Sequence, residues 1–231
     1  MWKSWRPWQR QGDKVTRRQG DQETGSQGDK PVIGLVGGMG SGKSRVAAEF
    51  ARHGARVISG DELGHEGLRQ PDIRDQVVGR WGRAILDDAG AIDRGKLGRV
   101  VFGDPAQRRE LERLLFPWIG RRLREEVEAA AKDPAVPLVV LDAAIMLEAG
   151  WSGVCDRLVY IDAPRDVRLR RLAEQRGWTA KEVTARESAQ MSLTEKASRA
   201  DDAVDNSGSA GQLARRVEEL LREWGLVPQK E

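Results

Sequence analysis

The chain has 231 residues, of which 39% are hydrophobic and 32% charged, values typical of an α/β domain with a buried core and a charged surface. No segment approaches the ~20 consecutive apolar residues of a membrane-spanning helix, and the first residues lack the apolar stretch of a secretory signal. The single cysteine, Cys155, excludes an internal disulfide and a multi-cysteine zinc site, so we expect a cytoplasmic protein that does not associate with membranes.

Residues 1–30 differ in composition from the rest of the chain. They are rich in Gln, Gly, Arg and Asp and show no apolar periodicity, so we predict a disordered N-terminal extension. Their 7 Lys/Arg and 4 Asp/Glu give this segment a formal net charge of +3, which equals the formal net charge of the whole chain. The remainder is therefore formally neutral, which argues against a nucleic-acid partner. Three tryptophans in this segment are interleaved with arginines. Two interpretations stay open: an arm that binds nucleic acid or a membrane surface weakly, or a solvated extension.

From Pro31 onward, short apolar runs alternate with helical patterns. This alternation predicts an α/β fold, with a doubly wound parallel five-stranded sheet that binds ligands at the carboxyl ends of its strands. Residues 61–131 are expected to be mainly helical, with breaks at Pro71, Gly90 and Pro117. The predicted strands are 32–36, 55–58, 138–141, 157–161 and 202–205, and the other predicted helices are 43–53, 165–175, 179–188 and 209–224.

A glycine-rich loop follows the first predicted strand. Residues 37–44 (GGMGSGKS) satisfy G-x-x-x-x-G-K-[ST], in which backbone amides and a helix N-terminus form an anion nest. Lys43 can reach the β- and γ-phosphates of ATP, and the Ser44 hydroxyl can ligate Mg²⁺. The pattern alone does not separate GTPases, ATPases and small-molecule kinases. The predicted ATP contacts in this loop are Gly38, Gly40, Ser41, Gly42, Lys43, Ser44 and Arg45.

Carboxylates follow the second and third strands, at the edge where the phosphates are expected. Asp61 lies just beyond Val57-Ile58, where a carboxylate can take the proton of an attacking hydroxyl. A helix N-cap explains Asp61 equally well. Asp142 ends the third strand, where it can hold Mg²⁺ directly or through water, or simply cap the strand.

The segment 164–200 is rich in arginine and predicts a mobile helical lid. In small-molecule kinases, lid guanidinium groups stabilise the charge of the transition state and exclude water. Arg171 and Arg186 are the candidates for that role, and an exposed helix face is the alternative. Asn206 follows the last strand, where an adenine-facing loop or a plain turn is expected.

Together these motifs resemble the dephospho-CoA kinase family over residues 32 to 224. The second strand end resembles the family's V-I-D-A-D, and the segment after the third strand resembles D-x-P-L-L-F-E. Near the end, a dispersed pattern resembles R…Q…K…R-A-D…I-D-N-S-G. The matching segments are 37–44 (GGMGSGKS), 57–61 (VISGD), 88–94 (DAGAIDR), 142–148 (DAAIMLE) and 186–208.

The resemblance implies a P-loop kinase domain over residues 31–226, with a helical acceptor-binding insertion at about 61–131, a lid at about 164–200 and a short tail, 227–231. It further implies that ATP, with Mg²⁺, phosphorylates the ribose 3′-hydroxyl of dephospho-CoA, with Asp61 as the base and Lys43, Arg171 and Arg186 as the other catalytic residues. We expect a monomer or weak oligomer.

Four positions depart from the family's usual residues: Arg45 replaces Thr, Ser59 replaces Asp, Phe116 replaces His and Ala144 replaces Pro. Two alternatives therefore stay open. One is a P-loop kinase for another small substrate, such as a nucleoside. The other is a catalytically weak homologue that binds nucleotide and signals to a partner.

Overall fold

The computed structural model describes residues 30–101 and 103–227. The predicted disordered extension lies outside these residues except for its last residue, Lys30. The predicted tail lies outside them except for Val227.

In the described part of the chain, five parallel strands form one sheet, as predicted. They are β1 (Val32–Gly37), β2 (Arg56–Ser59), β3 (Val139–Asp142), β4 (Arg157–Asp162) and β5 (Asp202–Asp205). Their order is β2-β3-β1-β4-β5, with every neighbouring pair parallel. All six residues of β1 are buried, because helices cover both faces of the central strands.

The helices cover the sheet in two layers. One layer packs Phe50 and Val217 against sheet residues such as Val140, and the other packs Leu115 and Ile119 over the opposite face. The helices are α1 (Lys43–Ala51), α2 (Gly60–Gly67), α3 (Pro71–Trp81), α4 (Arg94–Val101), α5 (Pro105–Lys132), α6 (Arg165–Arg176), α7 (Ala180–Glu187), α8 (Leu193–Arg199) and α9 (Ala210–Glu223), with short 3₁₀ turns at Arg83–Ile85 and Trp151–Val154.

The predicted helix break at Pro117 is wrong, because α5 runs through it for 28 residues. A proline inside a helix removes one hydrogen bond and strains the preceding turn. Here Leu115, Ile119 and Leu123 form a buried stripe on either side of Pro117, and their packing holds the helix together. Pro71 begins α3, a position whose backbone amide would have no intrahelical acceptor in any case.

Helices α2 to α5 lie between β2 and β3. They do not have a core of their own, since their buried side chains belong to the same cluster as sheet residues such as Ile58 and Leu141. Among the described residues, no helix is both long and apolar enough to cross a membrane. Cys155 packs beside Met146 Sδ at 3.7 Å, and burial raises the pKa of its thiol to about 12.

The strand order brings the predicted site residues together. The order reverses at β1, which lies between β3 and β4, and ligands bind in the crevice at such a switch point. In the register, Asp142 at the end of β3 stands beside Leu35 of β1 and beside Ser59 of β2. The P-loop, the end of β2 and the end of β3 therefore meet at one edge of the sheet.

Candidate active site

The P-loop turns tightly between β1 and α1. Gly40 and Gly42 have φ of +74° and +88°, values that suit glycine because a Cβ would be strained there. The amides of Gly40, Gly42 and Lys43 donate no hydrogen bond within the described part of the chain. Ser41 is fully buried and its hydroxyl has no partner there either. These donors point to an anion as the missing partner.

Lys43 stands at the mouth of this nest. Its ammonium donates to the carbonyl oxygens of Gly37 and Gly38, both at 3.2 Å. These contacts keep the side chain folded over the loop that begins its own helix. A phosphate in the nest would lie next to the ammonium, as the sequence predicts.

Charges around Lys43 come from several elements. Burial lowers the pKa of Lys43 from 10.5 to about 8, and Lys196 of α8 also lowers it. Asp142, Asp61 and Glu148 act in the opposite direction. The ammonium is therefore within electrostatic range of three carboxylates that follow β2 and β3.

The pKa of Lys43 predicts how ATP binding depends on pH. Below pH 8 the side chain is already an ammonium, whereas above it the free protein must take up a proton when phosphates bind. The affinity for ATP should therefore be flat below about pH 8 and fall by up to about tenfold for each pH unit above it. Titration calorimetry in buffers of different ionisation enthalpy measures the proton uptake. Equal affinity and no proton uptake between about pH 7 and pH 9 would contradict it.

The two predicted metal ligands are in direct contact. Ser44 Oγ, in the first turn of α1, donates to Asp142 Oδ2 at 2.6 Å. No group of three or more His, Cys, Asp or Glu side chains able to hold a metal occurs among the described residues. The site thus offers one hydroxyl and one carboxylate beside the phosphate nest.

The alternative interpretation of Asp61 as a helix N-cap is wrong. The N-cap of α2 is Ser59, whose side chain accepts a hydrogen bond from the amide of Glu62 at 3.2 Å. Asp61 lies in the first turn of α2 and is exposed. Its carboxylate is therefore free to meet a substrate at the edge of the sheet. The role of Asp61 as a base stays a prediction.

Arg171 lies on the outer side of the P-loop. Its Nη1 donates to the carbonyl oxygens of Gly40 and Ser41 at 3.4 and 3.2 Å, and its Nη2 donates to that of Asn206 at 2.6 Å. Asn206 is buried, and its Nδ2 donates to Ser41 O at 2.8 Å. Both residues thus contact the loop that the sequence assigns to ATP. Whether either one contacts ATP itself stays a prediction.

Arg186 lies on α7, packed on a tryptophan. Its guanidinium carbon is 4.1 Å from the ring centroid of Trp178, and that of Arg176 is 5.0 Å from the same centroid. Arg186 Nη1 also donates to the carbonyl oxygen of Glu182 at 3.2 Å. Trp178 therefore holds two lid arginines by cation–π contacts. The role of Arg186 in catalysis stays a prediction.

Among the residues that the structure describes, two buried cations were given no role by the sequence. Arg168 Nη1 donates to Met39 O at 3.2 Å and also contacts Glu187 Oε1. Lys196 forms an ion pair with Glu148 at 2.9 Å and is 1% exposed. Lys196 is the lysine of the dispersed motif over residues 186–208, so this motif could have identified it as a candidate site residue. Arg168 lies among several arginines of one helix, and no local pattern distinguishes it from them.

Comparisons with known proteins show the family of the chain. A family model described as dephospho-CoA kinase matches residues 31–212. The dephospho-CoA kinase of Geobacillus kaustophilus is 36% identical over 193 residues, covering 83% of this chain and 96% of the relative. That of Geobacter sulfurreducens is 37% identical over 190 residues, covering 82% and 96%.

Solved structures have a similar fold. A crystal structure of a Thermus thermophilus protein superposes with a TM-score of 0.71 at 34% identity, covering 84% of this chain and 97% of that one. Dephospho-CoA kinase from Campylobacter jejuni has a TM-score of 0.63 at 20% identity, covering 84% and 96%, and supports the fold alone. On its sequence matches and its P-loop sheet, the chain belongs to the dephospho-CoA kinase family.

Proposed function

We propose that this protein transfers the γ-phosphoryl group of ATP to the ribose 3′-hydroxyl of dephospho-CoA, giving CoA and ADP, the last step of CoA biosynthesis. The observation that carries the proposal is the meeting of Lys43, Asp61 and Asp142 at one phosphate nest. A family match across residues 31–212 accompanies it.

The reaction needs positioning and charge stabilisation more than covalent chemistry. The nest amides and Lys43 bind the β- and γ-phosphates. Asp61 accepts the proton of the 3′-hydroxyl as its oxygen bonds to the γ-phosphorus. The bond from that phosphorus to the β,γ-bridging oxygen breaks in line, and ADP leaves.

Ser44 and Asp142 fit a magnesium ion. Mg²⁺ commonly takes only one or two protein oxygens and completes its shell with water and phosphate oxygens. One hydroxyl and one carboxylate in contact at 2.6 Å beside the nest match that need. When bound, the ion would neutralise charge on the phosphates.

Asp142→Asn tests this assignment. The amide keeps the size of the side chain but removes its charge, so the Mg²⁺ concentration for half-maximal activity should rise by about 10- to 100-fold. Activity titrated with Mg²⁺ at saturating ATP measures the change. The exposed Asp133, at the C-terminal end of α5, provides the control variant Asp133→Asn. An unchanged Mg²⁺ requirement in Asp142→Asn would remove Asp142 from the metal site.

A groove lined by α5 suits the rest of the acceptor. It has a volume of about 570 Å³ and lies between α5 and the loop 149–151, directly after Glu148. The α5 residues that line it are Arg109, Glu112, Arg113, Phe116, Pro117, Gly120 and Arg124, and Glu112 is paired with Arg108. Dephospho-CoA carries a diphosphate and a long pantetheine arm beyond its ribose, so it needs such an extension of the site.

The chemistry of the groove matches that arm. Within the described residues, neither Arg109 nor Arg124 forms an ion pair, and guanidinium groups bind phosphate oxygens well. Phe116 and Trp151 meet edge to face, with ring centroids 5.2 Å apart, and supply an apolar wall. Phe116, where the family usually has His, is thus a packing residue here. We assign the diphosphate to the arginines and the pantetheine to the aromatic pair.

An ADP-release assay tests the function and its rivals. Turnover with ATP should depend on dephospho-CoA, and adenosine, which lacks the arm, should give a kcat/KM at least about 100-fold lower. Equal turnover with adenosine would favour a nucleoside kinase. ATP binding without any acceptor-dependent ADP release would favour the non-catalytic homologue.

We further propose that the protein acts in the cytoplasm, as a monomer or weak oligomer and without a nucleic-acid partner. The neutral charge balance of the chain beyond residue 30 supports the absence of a nucleic-acid partner.

A further inference from the structure

The outer side of the P-loop is covered by side-chain donors. Four consecutive carbonyl groups of the loop, those of residues 39–42, each accept a hydrogen bond from a side chain of α6 or of the loop after β5. The bonds run from Arg168 Nη1 to Met39 O (3.2 Å), from Arg171 Nη1 to Gly40 O (3.4 Å) and Ser41 O (3.2 Å), and from Asn206 Nδ2 to Ser41 O (2.8 Å) and Gly42 O (3.4 Å).

These bonds fix the direction of the amides. In a planar trans peptide the C=O and the N–H point in opposite directions. Holding the carbonyl oxygens of residues 39–41 on the outside therefore turns the next amides, including those of Gly40 and Gly42, toward the inside. The Gly42 carbonyl also accepts from the amides of Arg45 and Val46, so the first turn of α1 and Asn206 together set the direction of the Lys43 amide. The amides of Gly40, Gly42 and Lys43 are those that donate no hydrogen bond in the described part of the chain.

We propose that Arg168, Arg171 and Asn206 form a carbonyl clamp: they are positioning residues that hold the P-loop in its phosphate-binding conformation from behind. The inference rests on the nucleotide-binding half of the proposed function and is independent of which acceptor is phosphorylated.

Arg171 connects α6, the P-loop and the loop after β5. Its guanidinium extends from α6 and bridges the P-loop carbonyls to the carbonyl of Asn206, 2.6 Å from Nη2. Burial lowers the pKa of Arg171, and so do the nearby Arg45 and Arg170. A cation in this setting needs compensation, and the three carbonyl oxygens provide it. Only the planar fork of arginine can reach both groups of acceptors at once.

The loop glycines are shaped for the clamp. A Cβ at Gly38 would lie 2.8 Å from Arg168 Nη1, and a Cβ at Gly42 would overlap Asn206 Nδ2. Side chains at these positions would thus push the clamp residues away. The glycines are required by this close approach from outside as well as by the turn.

The clamp also connects to α7. Arg168 contacts Glu187 Oε1, and Arg165 binds Glu187 Oε2 at 2.7 Å. Burial alone would raise the pKa of Glu187, but the hydrogen bonds from the two arginines lower it below its ordinary value. Glu187 therefore stays ionised and keeps Arg168 against the loop. Because the buried Arg168 side chain contacts both Met39 O and Glu187, its replacement would disturb the contact between α6 and α7 as well as the loop, so it is a poor test position.

Arg171→Lys is the decisive variant. Lysine keeps the positive charge but cannot bridge the P-loop and Asn206 carbonyls. We expect the Kd values for Mg²⁺-ATP and for tripolyphosphate to rise together by about 10- to 100-fold. Calorimetric titration measures both. The KM for ATP should rise likewise while the KM for the acceptor stays unchanged, and the melting temperature should stay within a few degrees. Arg170→Lys, an exposed neighbour on the same helix, is the matched control.

Asn206→Ala provides a second, uncharged test. It removes the donor to Ser41 and Gly42 and should weaken tripolyphosphate binding in the same direction. Retained tripolyphosphate affinity in Arg171→Lys would show that only charge at this position matters and would overturn the clamp. A loss of ATP affinity without loss of tripolyphosphate affinity would place Arg171 on the nucleoside and would overturn it too. If Arg171→Lys unfolds, unchanged tripolyphosphate affinity in Asn206→Ala is the contrary result.

Discussion

Asp61→Asn is expected to lower kcat by about 10²- to 10⁴-fold. The amide keeps the shape of the side chain but cannot accept the proton of the 3′-hydroxyl. Because Ser59 rather than Asp61 caps α2, the substitution leaves the helix intact. The Kd for Mg²⁺-ATP should stay within about threefold, since Asp61 is one of several carboxylates that act on Lys43.

Steady-state turnover and calorimetric ATP binding on the same preparation measure this result. Glu62→Gln is the matched control, because Glu62 is the adjacent exposed carboxylate in the same helical turn. It should retain nearly full kcat. Unchanged kcat in Asp61→Asn would remove Asp61 as the base, and an equal loss in Glu62→Gln would point to a general charge effect.

Lys43→Met is expected to lower kcat/KM by about 10³-fold or more, because the ammonium stabilises charge on the transferred phosphoryl group. The same variant should be more stable to heat than the parent. Burial lowers the pKa of Lys43 to about 8, which means that its charged form destabilises the folded protein without ligand at neutral pH. Methionine removes this buried charge and with it the destabilisation. A loss of activity with a gain of stability cannot be explained by unfolding.

Kinetics and thermal unfolding at pH 7 test both parts. Lys132→Met, at the exposed end of α5, controls for the general effect of replacing a lysine by an apolar residue. The account of Lys43 fails if Lys43→Met keeps substantial activity. A lower melting temperature would contradict the inferred burial cost.

The sheet and the phosphate nest could be predicted because their signals are local. An apolar run followed by G-x-x-x-x-G-K-S specifies strand, loop and helix within about twenty residues. The N-cap of α2 at Ser59 could also have been predicted, because Ser59 and Glu62 form the S-x-x-E pattern that is typical of a helix start. The break at Pro117 was wrong because burial along α5, which a local pattern does not show, outweighs one lost hydrogen bond.

The outer side of the site could not be predicted in this way. Arg171 meets the P-loop from 130 residues away in sequence, and Asn206 meets it from 165. Arginine-rich helices are usually exposed, so the sequence did not show that Arg168 is 4% exposed. The direction of such side chains depends on how α6 and β5 pack beside β1, which is a property of the whole fold.

Three of the four departures from the family pattern have a structural explanation. Ser59 serves as the cap of α2, a position where Ser and Asp act alike. Phe116 packs against Trp151. Ala144 contributes its carbonyl oxygen to Lys196 at 3.3 Å, a backbone contact that does not require a particular side chain. Nothing in the structure explains Arg45, which is exposed.

The most direct measurement is the identity of the product. Purified protein incubated with Mg²⁺-ATP and dephospho-CoA, followed by mass spectrometry and comparison with authentic CoA, should show one phosphoryl group added at the ribose 3′-oxygen, in amounts equal to the ADP formed. ADP release with no phosphorylated dephospho-CoA, or phosphorylation at another oxygen, would contradict the account.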